Sequence, residues 1–98
     1  MKINKTKNGS AVVIALEGRL DTTTAPELEE CLNQTYEGLT DLTLDFSALE
    51  YISSAGLRVL LAAQKKMNEH GKLVVKNVNE DIKEVFDITG FSDILTIE

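Results

Sequence analysis

The chain is poor in cysteine and proline, contains no tryptophan, and has no long apolar run. Its single cysteine, Cys31, excludes an internal disulfide and fits a reducing compartment, so we expect a cytoplasmic protein. The longest uninterrupted apolar run, Ala11–Leu16, is far too short to span a bilayer, and the N-terminal Met-Lys-Ile-Asn-Lys lacks the apolar core of a secretory signal. We therefore expect no membrane insertion.

Positive charge is also scarce. Ten lysines and arginines stand against 16 aspartates and glutamates, which gives a net charge of −6 at pH 7. Nucleic acid binding requires a basic patch that displaces counterions from phosphates, and no such patch is visible, so we expect no nucleic acid partner. The negative net charge accounts for solubility, and it would also favour a basic partner over an acidic one.

The residue patterns of common catalytic centres are missing. The sequence contains no GxxxxGK[ST], GxGxxG, CxxC or HExxH motif, so nucleotide hydrolysis, dinucleotide binding and zinc chemistry lack their usual ligands. Cys31 lies on an apolar helix stripe and His70 at the polar end of another helix, with no residue placed to orient the imidazole. Asp45 could be a strand-end carboxylate, but no second acid or base accompanies it. We expect no enzyme, no cofactor and no metal.

Hydrophobic periodicity indicates one α/β domain spanning residues 1–98. The predicted strands are Met1–Lys7, Ala11–Leu16, Leu42–Phe46, Lys72–Lys76 and Ile94–Ile97. The predicted helices run from Thr24 to about Gly38, from Ser53 or Ser54 to Gly71, and from Asn79 to Gly90. This order, ββαβαβαβ, predicts a mostly parallel sheet with an antiparallel N-terminal edge strand and helices packed against it.

Local signals set these bounds. Asn8-Gly9 predicts a hairpin turn, and the nearly continuous apolar run Ala11–Leu16 predicts a strand buried on both faces. Thr24-Ala25-Pro26-Glu27 has the form of a capping box with proline in the first helical turn. Asn79 is expected to cap the third helix, and a short acidic turn is expected in residues 48–51.

The stretch from Asp45 to Leu61 carries the most specific functional signal. It is typical of a strand that leads, through a turn, into the step Ser53-Ser54-Ala55-Gly56 and then an apolar helix. Serines at a helix start are commonly caps, but two consecutive hydroxyls followed by small residues leave the backbone approachable. The free N–H groups and the positive dipole end of the helix would also accommodate a phosphate there.

Four segments, in this order, make the chain similar to STAS domains, the anti-sigma factor antagonist family. They are Gly18-Arg19-Leu20-Asp21, Asp45-Phe46-Ser47, Tyr51-Ile52-Ser53-Ser54-Ala55-Gly56-Leu57 and Val85-Phe86-Asp87-Ile88-Thr89-Gly90-Phe91. The resemblance covers essentially the whole chain and implies a single STAS-like domain. It implies phosphorylation at Ser54, with Ser53 as the alternate acceptor, and a partner-binding role for Asp21. The chain departs from the family motif at two positions, where Ser53 replaces an aspartate and Ala55 a second serine.

The function that this resemblance implies is a switch, an anti-sigma factor antagonist. The dephosphorylated form would bind an anti-sigma factor that is also a serine kinase, which releases the sigma factor. Phosphorylation would end the interaction, and a phosphoserine phosphatase would restore it. The expected partner-binding residues are Asp21, Ser53, Ser54, Gly56 and Arg58.

The role of Arg58 and the function itself both keep alternatives at the level of the sequence. Arg58 follows Ser54 by four residues on a helix, so it could pair with the phosphate, contact an acidic partner or remain solvated. The alternative function is a non-switching STAS adaptor subunit of a bacterial ABC lipid-transport system, in which the serine need not be modified. An enzyme or small-ligand sensor is the weakest reading, since no acid–base or nucleophile pair is present.

Overall fold

The computed structural model describes residues 1–98 and contains a four-stranded mixed sheet and four helices. The strands are β1 (Lys2–Asn8), β2 (Ala11–Leu20), β3 (Asp41–Ile52) and β4 (Lys72–Lys76). The helices are α1 (Ala25–Asn33), α2 (Ser54–His70), α3 (Glu80–Thr89) and α4 (Phe91–Ile94). In the sheet, ordered β1-β2-β3-β4, β1 is antiparallel to β2 and the remaining pairs are parallel. The predicted mostly parallel sheet with an antiparallel N-terminal edge strand is confirmed.

The hairpin between β1 and β2 follows from its turn residues. Asn8 pairs with Ala11, and Gly9 between them adopts φ +64°, a conformation that glycine reaches without the steric cost that other residues incur. Lysines at positions 2, 5 and 7 lie along β1, the edge strand. Such charges discourage pairing of an open edge with another sheet.

The apolar core lies on one face of the sheet. In β2, Val12, Ile14 and Leu16 are buried, whereas Val13 between them is 40% exposed. The prediction that this strand is buried on both faces is therefore wrong. Its outward residue Val13 is β-branched and suits a pleated, half-buried surface, and the small Ala11 and Ala15 leave little apolar area to cover there.

β2 and β3 both extend beyond their predicted ends. The sequence predicts that β2 ends at Leu16 and β3 at Phe46, but β2 continues to Leu20 and β3 to Ile52. The expected acidic turn in residues 48–51 is therefore strand. Gly18 adopts φ +101°, and the register between β2 and β3 shifts twice near it. The extra residues therefore form bulges, and the strand pairing continues beyond them.

Most helix bounds are predicted correctly: α2 ends at His70 before Gly71 and α3 ends at Thr89 before Gly90, as expected, and only the end of α1 differs clearly. α2 begins at Ser54 with Ser53 as its N-cap residue, and Asn79 caps α3 by accepting a hydrogen bond from the Ile82 N–H at 2.8 Å. Both starts are confirmed. α1 ends at Asn33 rather than near Gly38, because the following residues make turn hydrogen bonds instead of continuing the helix.

The C-terminal segment differs most from its prediction. The expected strand Ile94–Ile97 does not form: α4 ends at Ile94, and only one parallel bridge joins Ile97 to Val75 of β4. Leu95 is buried in the core. The apolar residues that suggested a strand therefore pack against the core and do not form a strand.

Candidate phosphorylation and partner-binding site

Two strand ends bring the predicted site residues together. Leu20, the last residue of β2, pairs with Ile52, the last residue of β3. The Ser53 N–H donates to the Leu20 carbonyl at 2.9 Å, which extends the pairing by one step. Because the strands are parallel, the loop that begins at Asp21 and the start of α2 lie at the same edge of the sheet.

The two consecutive serines occupy different environments. Ser53 has extended backbone angles (φ −100°, ψ 176°), and its carbonyl accepts the Leu57 N–H at 3.0 Å. Its Oγ is buried without a hydrogen-bond partner and does not cap the helix. Ser54 is exposed and is the first helical residue. The N–H groups of Ser54, Ala55 and Gly56 have no acceptor within the helix, because the first intrahelical hydrogen bond is donated by Leu57.

Gly56 is buried, unlike the exposed Ser54 two residues before it. A Cβ built on Gly56 would lie 2.7 Å from Leu20 Cγ and 2.9 Å from Ile52 Cγ1. Glycine therefore lets the first turn of α2 approach the two strand ends. A buried residue offers no side-chain contact, so we assign Gly56 a packing role instead of the direct partner contact that the sequence suggested.

Asp21 is held by its own loop. Its Oδ1 accepts hydrogen bonds from the Thr23 N–H at 3.0 Å and the Thr24 N–H at 3.1 Å. The Thr24 hydroxyl accepts the Asp21 N–H at 2.8 Å and donates to the Arg19 carbonyl at 2.8 Å. The expected capping box is therefore wrong: Thr24 precedes α1, but its hydroxyl ties the loop to β2 instead of capping the helix.

These contacts favour the ionised form of Asp21. The Thr24 N–H, aided by the Thr23 N–H and the nearby Arg19, holds the pKa of the Asp21 carboxyl below its usual value, although partial desolvation opposes them. Oδ1 is bound by the loop, whereas Oδ2 is at the surface with Arg19 Nε at 3.9 Å as its one charged contact. The site therefore presents one oriented negative charge beside the exposed Ser54.

Arg19 and Tyr51 extend this surface, and the sequence reading assigned neither a role. They are strand partners across β2 and β3, and the Arg19 guanidinium lies 4.1 Å from the centre of the Tyr51 ring. Arg19 Nε is 3.9 Å from Asp21 Oδ2. Arg19 stands within the Gly18-Arg19-Leu20-Asp21 motif, but only the pairing of distant strands reveals its stacking partner.

Arg58 of α2 lines a groove together with Thr22 of the loop after β2. Its side chain is exposed and makes no salt bridge within 4.0 Å. It contributes to a shallow groove of about 210 Å³ between the loop after β2, α1 and α2. The groove is lined by Thr22, Ala25, Pro26, Glu29, Ala55, Arg58 and Val59.

The remaining candidates do not assemble into a catalytic centre. Cys31 is partly buried against the core, and His70 is exposed on the wall of a wider groove of about 590 Å³ between α1 and α2. No group of three or more His, Cys, Asp or Glu residues is placed to hold a metal ion. None of the four helices is both long and apolar enough to cross a membrane.

Asp45 lies inside β3 rather than at its end. Its Oδ1 accepts hydrogen bonds from Asn77 Nδ2 at 3.0 Å and from the Ser47 N–H at 2.9 Å. The Asn77 amide, followed by the Ser47 N–H, lowers the pKa of this carboxyl. The strand-end position inferred from the sequence is therefore wrong, because β3 continues through the residues expected to form a turn.

The exposed Ser54 and the loop that orients Asp21 thus lie at one edge of a mixed sheet whose core face is covered by helices. The chain belongs to the STAS domain family, whose family model matches residues 2–98.

The relatives with established names are regulatory proteins. An anti-sigma-B factor antagonist from Staphylococcus epidermidis is 35% identical over 86 residues, which cover 86% of this chain and 80% of the relative. The structure of the anti-sigma factor antagonist SpoIIAA in its unphosphorylated form has a TM-score of 0.79 at 18% identity, covering 99% of this chain and 87% of that chain. The structure of Bacillus SpoIIAA in the phosphorylated form has a TM-score of 0.78 at 18% identity, and the match covers 99% of this chain and 91% of that chain. These antagonists are regulatory binding proteins rather than enzymes.

Proposed function

We propose that the protein is a cytoplasmic anti-sigma factor antagonist. Its dephosphorylated form binds an anti-sigma factor that is also a serine kinase, and this binding releases the sigma factor. The single observation that carries the proposal is the exposed Ser54 hydroxyl at the start of α2, next to the loop that orients Asp21. The names of the relatives support the same function.

The environments of the two serines favour Ser54 as the phosphoacceptor. A kinase must bring the hydroxyl to the γ-phosphate of ATP, and Ser54 is exposed, whereas Ser53 Oγ is buried. The free N–H groups of the first turn of α2 and the helix dipole accommodate the charge of the product. Ser53, the alternate acceptor, would have to rotate out of the core before it could react.

Phosphorylation would act on the interface rather than on the fold. A phosphoserine carries about −1.5 to −2 charges and three acceptor oxygens, which replace a small hydroxyl in the middle of the partner-binding surface. Ser54, Asp21, Arg58 and the exposed part of Ser53 form this surface in our proposal, with Gly56 supporting it from below. A loss of about 4 kcal/mol in binding would convert a nanomolar complex into a micromolar one.

The acceptor is tested by phosphorylation with the anti-sigma factor kinase of the same organism and ATP, read by intact-mass and phosphopeptide mass spectrometry. The wild type and Ser53→Ala should each gain one phosphate at residue 54, and Ser54→Ala should gain none. Ser53→Ala is the matched control, because it removes the neighbouring hydroxyl without changing charge. Full labelling of Ser54→Ala would move the acceptor to another residue.

The switch is tested by calorimetric titration of the unphosphorylated and phosphorylated proteins with that kinase. We expect binding of the unphosphorylated form and a loss of affinity of at least tenfold after phosphorylation. A protein that is never phosphorylated in its own cells and that co-purifies with an ATP-binding cassette subunit would instead be the non-switching adaptor. That outcome would reject the proposed switch while leaving the family membership unchanged.

A further inference from the structure

A long groove runs between α1 and α2. The shallow groove of about 210 Å³ and the wider one of about 590 Å³ have Glu29 and Val59 as common lining residues, so the two adjoin and together form the α1–α2 groove. On the α2 side its lining extends from Ala55 to His70, which is about 22 Å along the helix axis. The groove therefore has the length of a helix of about 15 residues.

The floor of the α1–α2 groove is apolar. The buried Leu32 and Val59 form its base, and the exposed Ala62 and the half-buried Tyr36 face the opening. The Lys66 ammonium lies 5.9 Å from the centre of the Tyr36 ring, which joins the two sides of the groove. Burial raises the pKa of Tyr36 to about 12, so its hydroxyl stays protonated and can donate a hydrogen bond at neutral pH. Tyrosines of this kind are common anchors in protein interfaces.

The ionisable residues of the groove are sorted by side. Glu29 and Glu37 lie on the α1 side, and Arg58, Lys66 and His70 lie on the α2 side, without exception in the lining of either part. All five are exposed, and none makes a salt bridge within 4.0 Å. The groove thus presents an acidic row and a basic row on either side of an apolar floor, and both rows are free to pair with an incoming partner.

The α1–α2 groove adjoins the proposed partner-binding surface. Its near end is lined by Thr22 and Ala55, which directly follow Asp21 and Ser54 in the chain. Arg58 belongs to both the groove and that surface. A partner that covers the start of α2 therefore meets the near end of the groove.

We propose that the α1–α2 groove binds an amphipathic helix of the anti-sigma factor kinase, and that this contact holds the kinase while it acts on Ser54. The inference rests on the proposed function and adds to it a second contact that extends away from the phosphorylated residue. Amphipathic helices commonly bind with their apolar face in a groove of this kind.

The two charged rows specify the chemistry of the bound helix. Its apolar stripe lies on the floor at Ala62 and Tyr36. Its lysines and arginines lie along the α1 side and its aspartates and glutamates along the α2 side, because the reverse orientation would place like charges together. The groove therefore selects both the helix and its direction of charge.

The experiment measures binding and phosphorylation of the full chain by the purified anti-sigma factor kinase of the same organism. Lys66→Glu reverses a charge on the α2 side, about 18 Å from Ser54 along the helix, and Glu37→Lys reverses one on the α1 side. Lys65→Glu and Glu30→Lys are the matched controls, since they make the same charge changes at exposed positions outside the groove lining. Calorimetric titration with a non-hydrolysable ATP analogue gives Kd, and steady-state phosphorylation gives kcat and KM.

We expect each groove variant to weaken binding about tenfold and to raise KM for this protein by a similar factor. The kcat should not change, because Ser54 and the loop that holds Asp21 are intact in both variants. Lys65→Glu and Glu30→Lys should bind within about twofold of the wild type. All four positions are exposed, so the melting temperatures should match and exclude misfolding as the cause.

Hydrogen exchange of the kinase, alone and in the complex, identifies the bound segment. One kinase helix with an apolar stripe between a basic and an acidic side should be protected by the wild type and less protected by Lys66→Glu. Protection confined to loops or strands of the kinase would reject a helix as the occupant of the groove.

Wild-type affinity in both groove variants, or an equal loss in the control variants, would overturn the docking groove and leave the proposed function standing. Absence of binding between the wild type and the kinase would reject the proposed function and the docking groove together. A wild-type dimer in analytical ultracentrifugation that Lys66→Glu dissociates would assign the groove to a second copy of this chain, and would also overturn the proposal.

Discussion

At the scale of single residues, the two oxygens of Asp21 have different roles. Oδ1 is bound by the N–H groups of Thr23 and Thr24, and Oδ2 faces Arg19 at the surface. The carboxylate therefore stabilises its loop and, in the proposed interaction, would also present a charge to the partner.

The lowered pKa of Asp21 predicts a pH dependence. A carboxyl whose pKa is lower in the folded than in the unfolded state contributes stability above the unfolded value of about 3.9, and that contribution is lost as pH falls through the folded pKa. We expect the difference in unfolding free energy between wild type and Asp21→Asn to be largest above about pH 5 and to narrow below about pH 4. Urea titrations between pH 3 and pH 7 measure it, and a constant difference would contradict the assignment.

Gly56 gives a second prediction at the residue scale. Alanine is normally favoured over glycine inside a helix by up to about 1 kcal/mol. Here the added methyl group would overlap Leu20 and Ile52, which costs about 1–3 kcal/mol in a packed core. We expect Gly56→Ala to lower the unfolding free energy, as measured by urea denaturation.

The exposed position Ala62 on the same helix provides the control for this measurement. Ala62→Gly reports the helix propensity alone, without a steric contribution. A Gly56→Ala variant more stable than wild type would show that α2 can move away from the strand ends without loss, and would argue against close packing as the reason for glycine.

At the scale of secondary-structure elements, Asn79 joins α3 to β3. Its Oδ1 accepts the Ile82 N–H at 2.8 Å, and its Nδ2 donates to the Leu49 carbonyl at 3.0 Å. One amide thus caps a helix and bonds the part of β3 that leads to the site. The start of α3 and the extended end of β3 depend on each other through this side chain.

Substitutions at Asn79 separate the two bonds. Asn79→Ala loses both and should lower the unfolding free energy by about 1–2 kcal/mol, as measured by urea denaturation. Asn79→Ser keeps a capping oxygen but loses the amide donor, so we expect an intermediate loss. Equal losses in both variants would mean that the bond to Leu49, rather than the cap, provides the stabilisation.

At the scale of the whole molecule, the proposed partner-binding surface lies at an edge of the sheet where two strands are paired to their last residues. Leu20 and Ile52 are buried and paired, while Asp21 and Ser54 project beyond them. A phosphate on Ser54 would therefore contact solvent and surface side chains rather than the core. In the proposed switch, the fold would stay the same while the chemistry of this surface changes.

This arrangement predicts that phosphorylation leaves the global fold intact. We expect phosphoserine at residue 54 to shift the melting temperature by less than about 5 °C, since a change of 1 kcal/mol moves a domain of this size by roughly 4–8 °C. Calorimetry measures the shift, and unmodified protein from the same preparation is the control. A larger decrease would mean that the phosphate disturbs the packing of α2 against the strands.

The sequence alone determined the features that depend on neighbouring residues. The Asn8-Gly9 turn, the Asn79 cap, the start of α2 at Ser53-Ser54 and the alternation of strands and helices were all predicted, because turns, caps and periodicity act over a few residues. The resemblance of four motif segments, among them the Ser53-Ser54 step, also led to the correct family. Local chemistry was sufficient for these features.

The tertiary structure decided the rest. Residues 48–51 were expected to turn, yet they pair with β2, and this pairing is what brings Asp21 beside Ser54 and places Tyr51 under Arg19. The difference between the buried Ser53 hydroxyl and the exposed Ser54 likewise depends on how α2 packs on the strands. These properties arise from contacts between residues far apart in the chain, and such contacts form only when the backbone hydrogen bonds of whole strands are satisfied together.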